Sequence, residues 1–319
     1  MIIKREKRDG IFIYIVKKDL TDEEMNLRLN THVKKDDIND IIRNEDCDVF
    51  TEDGNMLMRF RRGVLTKANT MLFYDNVVKF AHNTSTNRGG ASGVEGTKHV
   101  GTNPKIMTNI FGYFDRWGPS QKYLFNSLGK KPLVNVRETR FNLESPEKYQ
   151  KTIPLLKEVD KLYKKLAPKE YKKQYKKAME TQFRIANTSF TTVTTNINFQ
   201  TAIHMDKGDD EEGFGNLITF EKGSYSGSET CFPQYGIGVD VRENDFLLMD
   251  VHQPHGNLPL ILDTPDSERL SIVCYLRKGV WQNARNKGKG LLSRHVKIMR
   301  GIFTKKKSLS NKKTKKNKK

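Results

Sequence analysis

The spacing of apolar and polar positions changes character along the chain. Residues 11–16, Ile-Phe-Ile-Tyr-Ile-Val, and 56–60, Met-Leu-Met-Arg-Phe, are short apolar runs; such runs predict strands. Asp53-Gly54-Asn55 supplies a turn signal before the second run. A helix is predicted over 66–81. It is followed at 83–93 by a loop whose glycines permit positive φ and close backbone approach, suited to cradling a phosphate, lining a cleft or simply turning the chain. Between 153 and 180, Leu155, Leu156, Val159, Leu162, Tyr163 and Leu166 recur near helical spacing with lysines opposite. Pro168 should divide this stretch into two helices, and the lysine run reads as a solvated face.

From Phe190 the pattern turns β-rich. Strands are predicted at 190–203, 215–220, 237–241, 245–251 and 270–276, with Gly223, Gly227, Gly236 and Pro233 marking breaks. Strands that follow one another without intervening helices point to a sandwich or barrel, the class that contains jelly rolls and cupins. The fold class expected is α+β. Four segments follow: an N-terminal α+β elaboration packed on the core (1–100), a helical support region (101–188), a β-rich core (189–282) and a basic C-terminal segment (283–319). No internal repeat is evident.

Composition refines this picture. At 319 residues the chain suffices for one large domain with elaborations or two small ones. The mean hydropathy of -0.69 is polar, yet 17 Phe and 11 Tyr supply bulky core material. No stretch approaches the roughly 18 apolar residues of a membrane span, and the first residues lack a secretory apolar core. We therefore expect an intracellular protein, in a nucleus or a viral replication compartment, that is neither secreted nor membrane-bound. Cys47, Cys231 and Cys274 are far apart with no CxxC spacing, which indicates reduced structural thiols rather than a disulfide framework or zinc site. The net charge is +19, and no acidic residue follows Glu268. Fifteen Lys and Arg fall between Arg285 and Lys319, so most of the excess lies there. Without apolar periodicity this tail should be disordered, serving polyanion binding, localisation or solubility.

The chemistry concentrates in His204-Met205-Asp206, in Asp250-Val251-His252-Gln253-Pro254-His255-Gly256, and in Arg269-Leu270-Ser271. Residues two apart on an extended segment share a face, so His204 and Asp206 can reach one metal from a strand end. Two imidazoles and one carboxylate on one side of Fe(II) leave open positions for cosubstrate and dioxygen. The third ligand is His252 or His255. We favour His255, because Gly256 beside it allows close approach, leaving His252 and Asp250 as partners that could orient a ligand imidazole. Arg269 and Ser271, also two apart, offer a guanidinium fork and a hydroxyl to a carboxylate such as that of 2-oxoglutarate. The competing role for Arg269 is a salt bridge with Glu268 or another acid. HxD alone is a weak signal; a strand-ending HxD, a distant His and a following strand-initial Arg form a much stronger one.

These residues resemble the 2-oxoglutarate/Fe(II) dioxygenase superfamily, and within it the TET/JBP branch, especially its phage and large-virus members. The resemblance rests on 199–206, 213–217, 232–236, 250–257 and 268–273, and upstream on 58–65 and 87–93. It implies a double-stranded β-helix (jelly-roll, cupin-like) catalytic core at 189–282 with flanking helices. It also implies oxidation of the methyl group of 5-methylcytosine or thymine in nucleic acid, with Fe(II), 2-oxoglutarate and O2. His204, Asp206 and His255 would hold iron, and Arg269 with Ser271 would hold 2-oxoglutarate. Asp209 falls where relatives contact the modified base, although it is acidic where some have Asn; Arg88 is a second candidate for substrate contact. Two other functions stay open: hydroxylation of protein side chains (prolyl or lysyl) or a small molecule, and a cupin-like binding module without activity.

Overall fold

The structure, a computed structural model, describes residues 1–83, 89–93, 107–117, 133–288 and 290–301. Its strands are β1 (Ile2–Arg8), β2 (Ile11–Val16), β3 (Asp40–Ile42), β4 (Cys47–Thr51), β5 (Met56–Arg61), β6 (Met107–Phe114), β7 (Arg137–Glu138) and β8 (Thr192–Ile197). They continue as β9 (Gly215–Lys222), β10 (Tyr225–Gly227), β11 (Thr230–Phe232), β12 (Ile237–Val239), β13 (Phe246–Met249), β14 (Gly256–Asn257), β15 (Leu260–Leu262) and β16 (Glu268–Tyr275). The helices are α1 (Asp22–Leu27), α2 (Lys67–Ala81), α3 (Arg140–Glu144), α4 (Pro146–Leu166), α5 (Pro168–Met179) and α6 (Lys278–Ala284).

Among the described residues ten strands form one sheet in the order β1-β2-β4-β5-β13-β9-β16-β8-β6-β7. Every neighbouring pair is antiparallel except β2 and β4. A smaller sheet, β14-β11-β12-β3, lies apart from it. The protein is thus mixed α+β with a large, mainly antiparallel sheet.

Each face of the large sheet buries its own core, as the two-residue period of a pleated strand requires. On one face Ile218, Phe220, Phe246, Leu248, Leu270, Ile272 and Cys274 pack against Phe73 and Val77 of α2 and Leu155, Leu156 and Val159 of α4. Phe73 stacks on Phe220 with ring centroids 5.2 Å apart. The opposite face of β4, β5 and β13 closes on the small sheet, joining Val49, Leu57, Leu247 and Met249 to Phe232, Ile237 and Val239.

The helix predicted at 66–81 is α2, with Thr66 at its N-cap. Pro168 divides the next helical stretch as expected, because a proline at the first helical position lacks only an N–H that would go unpaired anyway. The first of these helices begins at Pro146, well before 153, again on an N-terminal proline. The strand expected over 190–203 ends at Ile197: Asn198 takes φ +46°, and the chain leaves the large sheet. Gly227 and Gly236 both take positive φ where breaks were expected; a Cβ on Gly227 would sit 1.9 Å from the Pro259 carbonyl oxygen.

From the first segment β5 pairs with β13 and β3 adds to the small sheet; from the second, β6 pairs with β8 inside the large sheet. Most of the basic tail lies outside the described residues. All three cysteines are free and buried, and burial pushes their thiols up. Among the described residues no helix is long and apolar enough to cross a membrane.

Candidate metal centre and its cleft

After Asn198 the chain crosses toward the small sheet, where Thr201 accepts a hydrogen bond from the Asn257 backbone N–H (3.0 Å). His204 and His255 then form an isolated antiparallel bridge, exchanging both backbone hydrogen bonds at 2.9 and 3.0 Å. This bridge, rather than a strand end alone, sets the two imidazoles side by side, with ring centroids 4.4 Å apart. Asp206 is held by its own N–H donating to the Val251 carbonyl (2.9 Å). One nitrogen from each histidine and one Asp206 oxygen lie within 4.8 Å of one another. The His204 Nε2 is 3.7 Å from Asp206 Oδ1, and the His255 Nε2 is 3.9 Å from Oδ2.

The tautomers follow from the neighbours. His204 Nδ1 lies 2.8 Å from the Ala202 carbonyl and His255 Nδ1 lies 2.9 Å from the Gln253 carbonyl. A carbonyl only accepts, so each Nδ1 carries the proton and each Nε2 presents its lone pair toward Asp206. Burial, reinforced by the neighbouring His204, lowers the His255 pKa to about 4. His255 is thus neutral, the form a metal requires. Two imidazoles and one carboxylate fit an Fe(II) facial site.

His252 is outside this group. Its Nε2 faces the Asp210 carbonyl at 3.0 Å, while the Asp250 carboxylate accepts from the His252 backbone N–H and the Gln253 side chain. The expectation that His252 and Asp250 orient a ligand ring is therefore corrected: backbone carbonyls of Ala202 and Gln253 do so. Gly256 is needed where it stands, since a Cβ there would meet the Thr201 carbonyl oxygen at 3.1 Å.

The group opens into a cleft of about 1150 Å³ that also contains Arg269, Ser271 and Asp209. Arg269 and Ser271 share the cleft-facing side of β16 with Val273 and Tyr275. Glu268, one residue earlier, points the other way and pairs with the Tyr74 hydroxyl (3.0 Å) and His82 Nε2 (2.5 Å). Arg269 is 4% exposed. Its backbone is fixed by Asn198, yet among the described residues no group accepts from its guanidinium. Among the described residues the competing salt bridge is not formed.

Asp209 is buried, lines the cleft, and bridges the Arg277 backbone. The rest of its acidic run is in ion pairs: Asp210 with Lys177, Glu211 with Lys278, and Glu212 with Lys173 and Lys177. Arg88 lies outside the described residues. Of the glycine loop around it, Ala91 lines the cleft and accepts a hydrogen bond from the Ala202 N–H (2.9 Å). Sequence reasoning missed Asn196, Phe114, Arg137 and Arg277, all cleft-lining. Asn196 stands opposite Ser271 in the sheet register, and its Oδ1 is buried without a hydrogen-bond partner. A polar residue in a strand of Thr and Val was the available signal.

Residues 122–278 match the Tet_JBP family model, described as the oxygenase domain of the 2OGFeDO superfamily. That superfamily works with Fe(II), 2-oxoglutarate and O2. The chain is 36% identical over 173 residues to the bifunctional helicase and thymine dioxygenase JBP2 of Leishmania tarentolae, covering 54% of this chain and 15% of that protein. It is 31% identical over 172 residues to the thymine dioxygenase JBP1 of Trypanosoma brucei brucei, covering 53% and 19%. The chain therefore spans under a fifth of the length of these curated relatives. NgTET1, solved in complex with 5mC DNA, superposes with a TM-score of 0.54 over 89% of this chain and 90% of its own, at 14% identity. That likeness is one of fold.

Proposed function

We propose that this protein is a 2-oxoglutarate- and Fe(II)-dependent dioxygenase that hydroxylates the methyl group of thymine or 5-methylcytosine in nucleic acid. The observation that carries this reading is the meeting, in one cleft, of the His204, Asp206 and His255 group with the uncommitted guanidinium of Arg269. The named activity of the JBP relatives supports thymine in particular. We read the two sheets as the halves of a double-stranded β-helix, joined at the metal group by the His204 and His255 bridge.

In this reading His204 Nε2, His255 Nε2 and the Asp206 carboxylate hold the iron. Arg269 and Ser271 receive the far carboxylate of 2-oxoglutarate, the fork giving two parallel hydrogen bonds and the hydroxyl a third. When bound, iron, 2-oxoglutarate and O2 would supply oxidation of a C–H bond, one oxygen atom going to the new hydroxyl and the other to the succinate formed with CO2 from 2-oxoglutarate. The protein's share is orientation and exclusion of side reactions. A base in a duplex must leave the stack to enter such a cleft, where Asp209 is placed to meet it. The basic C-terminal segment adds a hold on polyanions without sequence preference.

The test is incubation of the protein with thymine- or 5-methylcytosine-containing DNA, Fe(II) and 2-oxoglutarate, followed by nucleoside mass spectrometry. Hydroxymethylated bases are expected, in step with succinate. Succinate formed with a peptide substrate and no oxidised base on any DNA or RNA would assign the chemistry to protein side chains instead. No iron binding and no succinate would leave a binding module.

A further inference from the structure

The cleft holds a second guanidinium that the metal and cosubstrate leave unused. Arg137 lies on β7, in register with Phe114 of β6. Its guanidinium stands 5.4 Å from the centre of the Phe114 ring, while that of Arg277 stands 4.4 Å from the same ring. The two cations differ in their partners. Arg277 is paired with Asp115 at 2.7 Å. Arg137 donates from Nε to the Arg116 carbonyl (2.6 Å), and among the described residues it has no carboxylate partner. Among the described residues no group accepts from its Nη atoms.

Holding such a group half-buried is costly, because the one acid that acts on it through space, Asp115, is already paired with Arg277 and does not offset the desolvation in full. Burial accordingly pushes the guanidinium below its ordinary pKa. The Nε hydrogen bond and the aromatic ring already fix the fork, so a ligand that takes the Nη groups loses little side-chain entropy in doing so. Two further cations, Arg116 and Lys207, line the cleft without a carboxylate partner among the described residues. By contrast Arg140 and Lys278, also in the cleft lining, are each committed to a glutamate, Glu144 and Glu211. Arg137, Arg116 and Lys207 thus line the cleft with no carboxylate bonded to them among the described residues.

We infer that Arg137, assisted by Arg116 and Lys207, grips a backbone phosphate of the nucleic-acid strand whose target base enters the cleft. The inference rests on the proposed function, since Arg269 serves the cosubstrate carboxylate and a phosphodiester is the anion a nucleic-acid substrate brings. A planar fork matches two phosphate oxygens better than an ammonium does. Arg137 then acts as a positioning residue for the substrate strand.

The test is fluorescence anisotropy of a labelled, thymine-containing single-stranded hexanucleotide with the full chain over a range of salt concentrations. Arg137→Gln is expected to weaken binding about tenfold and to reduce the salt slope by roughly one phosphate contact. Arg137→Lys should restore the slope but only part of the affinity. Lys313→Gln, in the basic tail, measures the loss of one peripheral charge and should have a smaller effect on affinity. Calorimetric binding of 2-oxoglutarate in the presence of Mn(II) should be the same for Arg137→Gln and wild type, which also reports a folded site. If Arg137→Gln matches Lys313→Gln in affinity and slope, or if Arg137→Lys does not recover the slope, the inference is overturned. A wild type that binds the hexanucleotide yet oxidises no base in any nucleic acid overturns the function beneath it instead.

Discussion

The two faces of β16 are made by alternate residues of one strand and have opposite uses. Leu270, Ile272 and Cys274 are fully buried and packed against the helical layer. Arg269 and Ser271 are nearly as buried, at 4% and 5% exposed, but they face the cleft. Exposure does not separate the two sets; commitment does. On the helical side even the charged residue is satisfied, Glu268 meeting Tyr74 and His82. On the cleft side the Asn196 Oδ1 is buried without a partner, and no acid among the described residues pairs with the Arg269 guanidinium. Buried polar groups are normally paired, and unpaired ones that face a cleft beside a candidate metal group are where a ligand would be received.

The largest effect is expected at the metal group itself. His204→Ala or Asp206→Ala should abolish stoichiometric iron binding, measured by elemental analysis, and lower succinate formation on the order of 10³-fold. A variant that kept both would break the assignment. Wild-type protein should melt at higher temperature with added Mn(II), because a ligand that binds only the folded state stabilises it; the variants should not respond.

Next come two neighbours on opposite faces. Arg269→Gln should weaken 2-oxoglutarate binding by about 2–5 kcal/mol, the cost of removing one partner of a buried charge pair, read by calorimetry with Mn(II). Its urea midpoint should hold. Glu268→Gln should reverse that pattern, lowering stability by about 1–3 kcal/mol with unchanged 2-oxoglutarate affinity. If both variants lost cosubstrate binding equally, the division between the faces would fail.

A smaller effect is expected of Ile272→Val, about 1 kcal/mol of stability from a lost methylene, with kcat and KM for 2-oxoglutarate retained. The smallest concerns His252→Ala. Because His252 contacts the Asp210 carbonyl rather than the metal group, iron content should stay stoichiometric. Loss of iron there would reinstate it as a ligand.

Much of the helical side was legible in the residue pattern. The spacing of Leu155, Leu156 and Val159, all fully buried, and the proline at 168 give α4 and α5 because these features act within a few residues of each other. The strand β6 was not legible. Its Thr108 and Asn109 line a polar cleft while Phe111 is buried against helices, so the usual apolar-polar alternation is absent. Of the small sheet only β12 was legible, within the strand predicted at 237–241; β11 and β14 are three and two residues long, too short to show a period. In the site, the two-residue spacings exposed His204 with Asp206 and Arg269 with Ser271. Arg137 carried no such signal, because it becomes notable only beside Phe114 and without an acid.

By itself the sequence determined the donor types: an HxD, a later histidine and an arginine with a serine two beyond, a set whose chemistry depends only on which atoms are offered. It also narrowed the third ligand to two histidines. The glycine beside His255 already favoured it, but the physical reason belonged to the tertiary structure, since the pairing of His204 with His255 across the chain brings two Nε2 atoms to one carboxylate. The same holds for Arg269. Its fork is a property of the residue, but its being buried and unclaimed depends on where the pleat sends Glu268 and on what every other strand brings near.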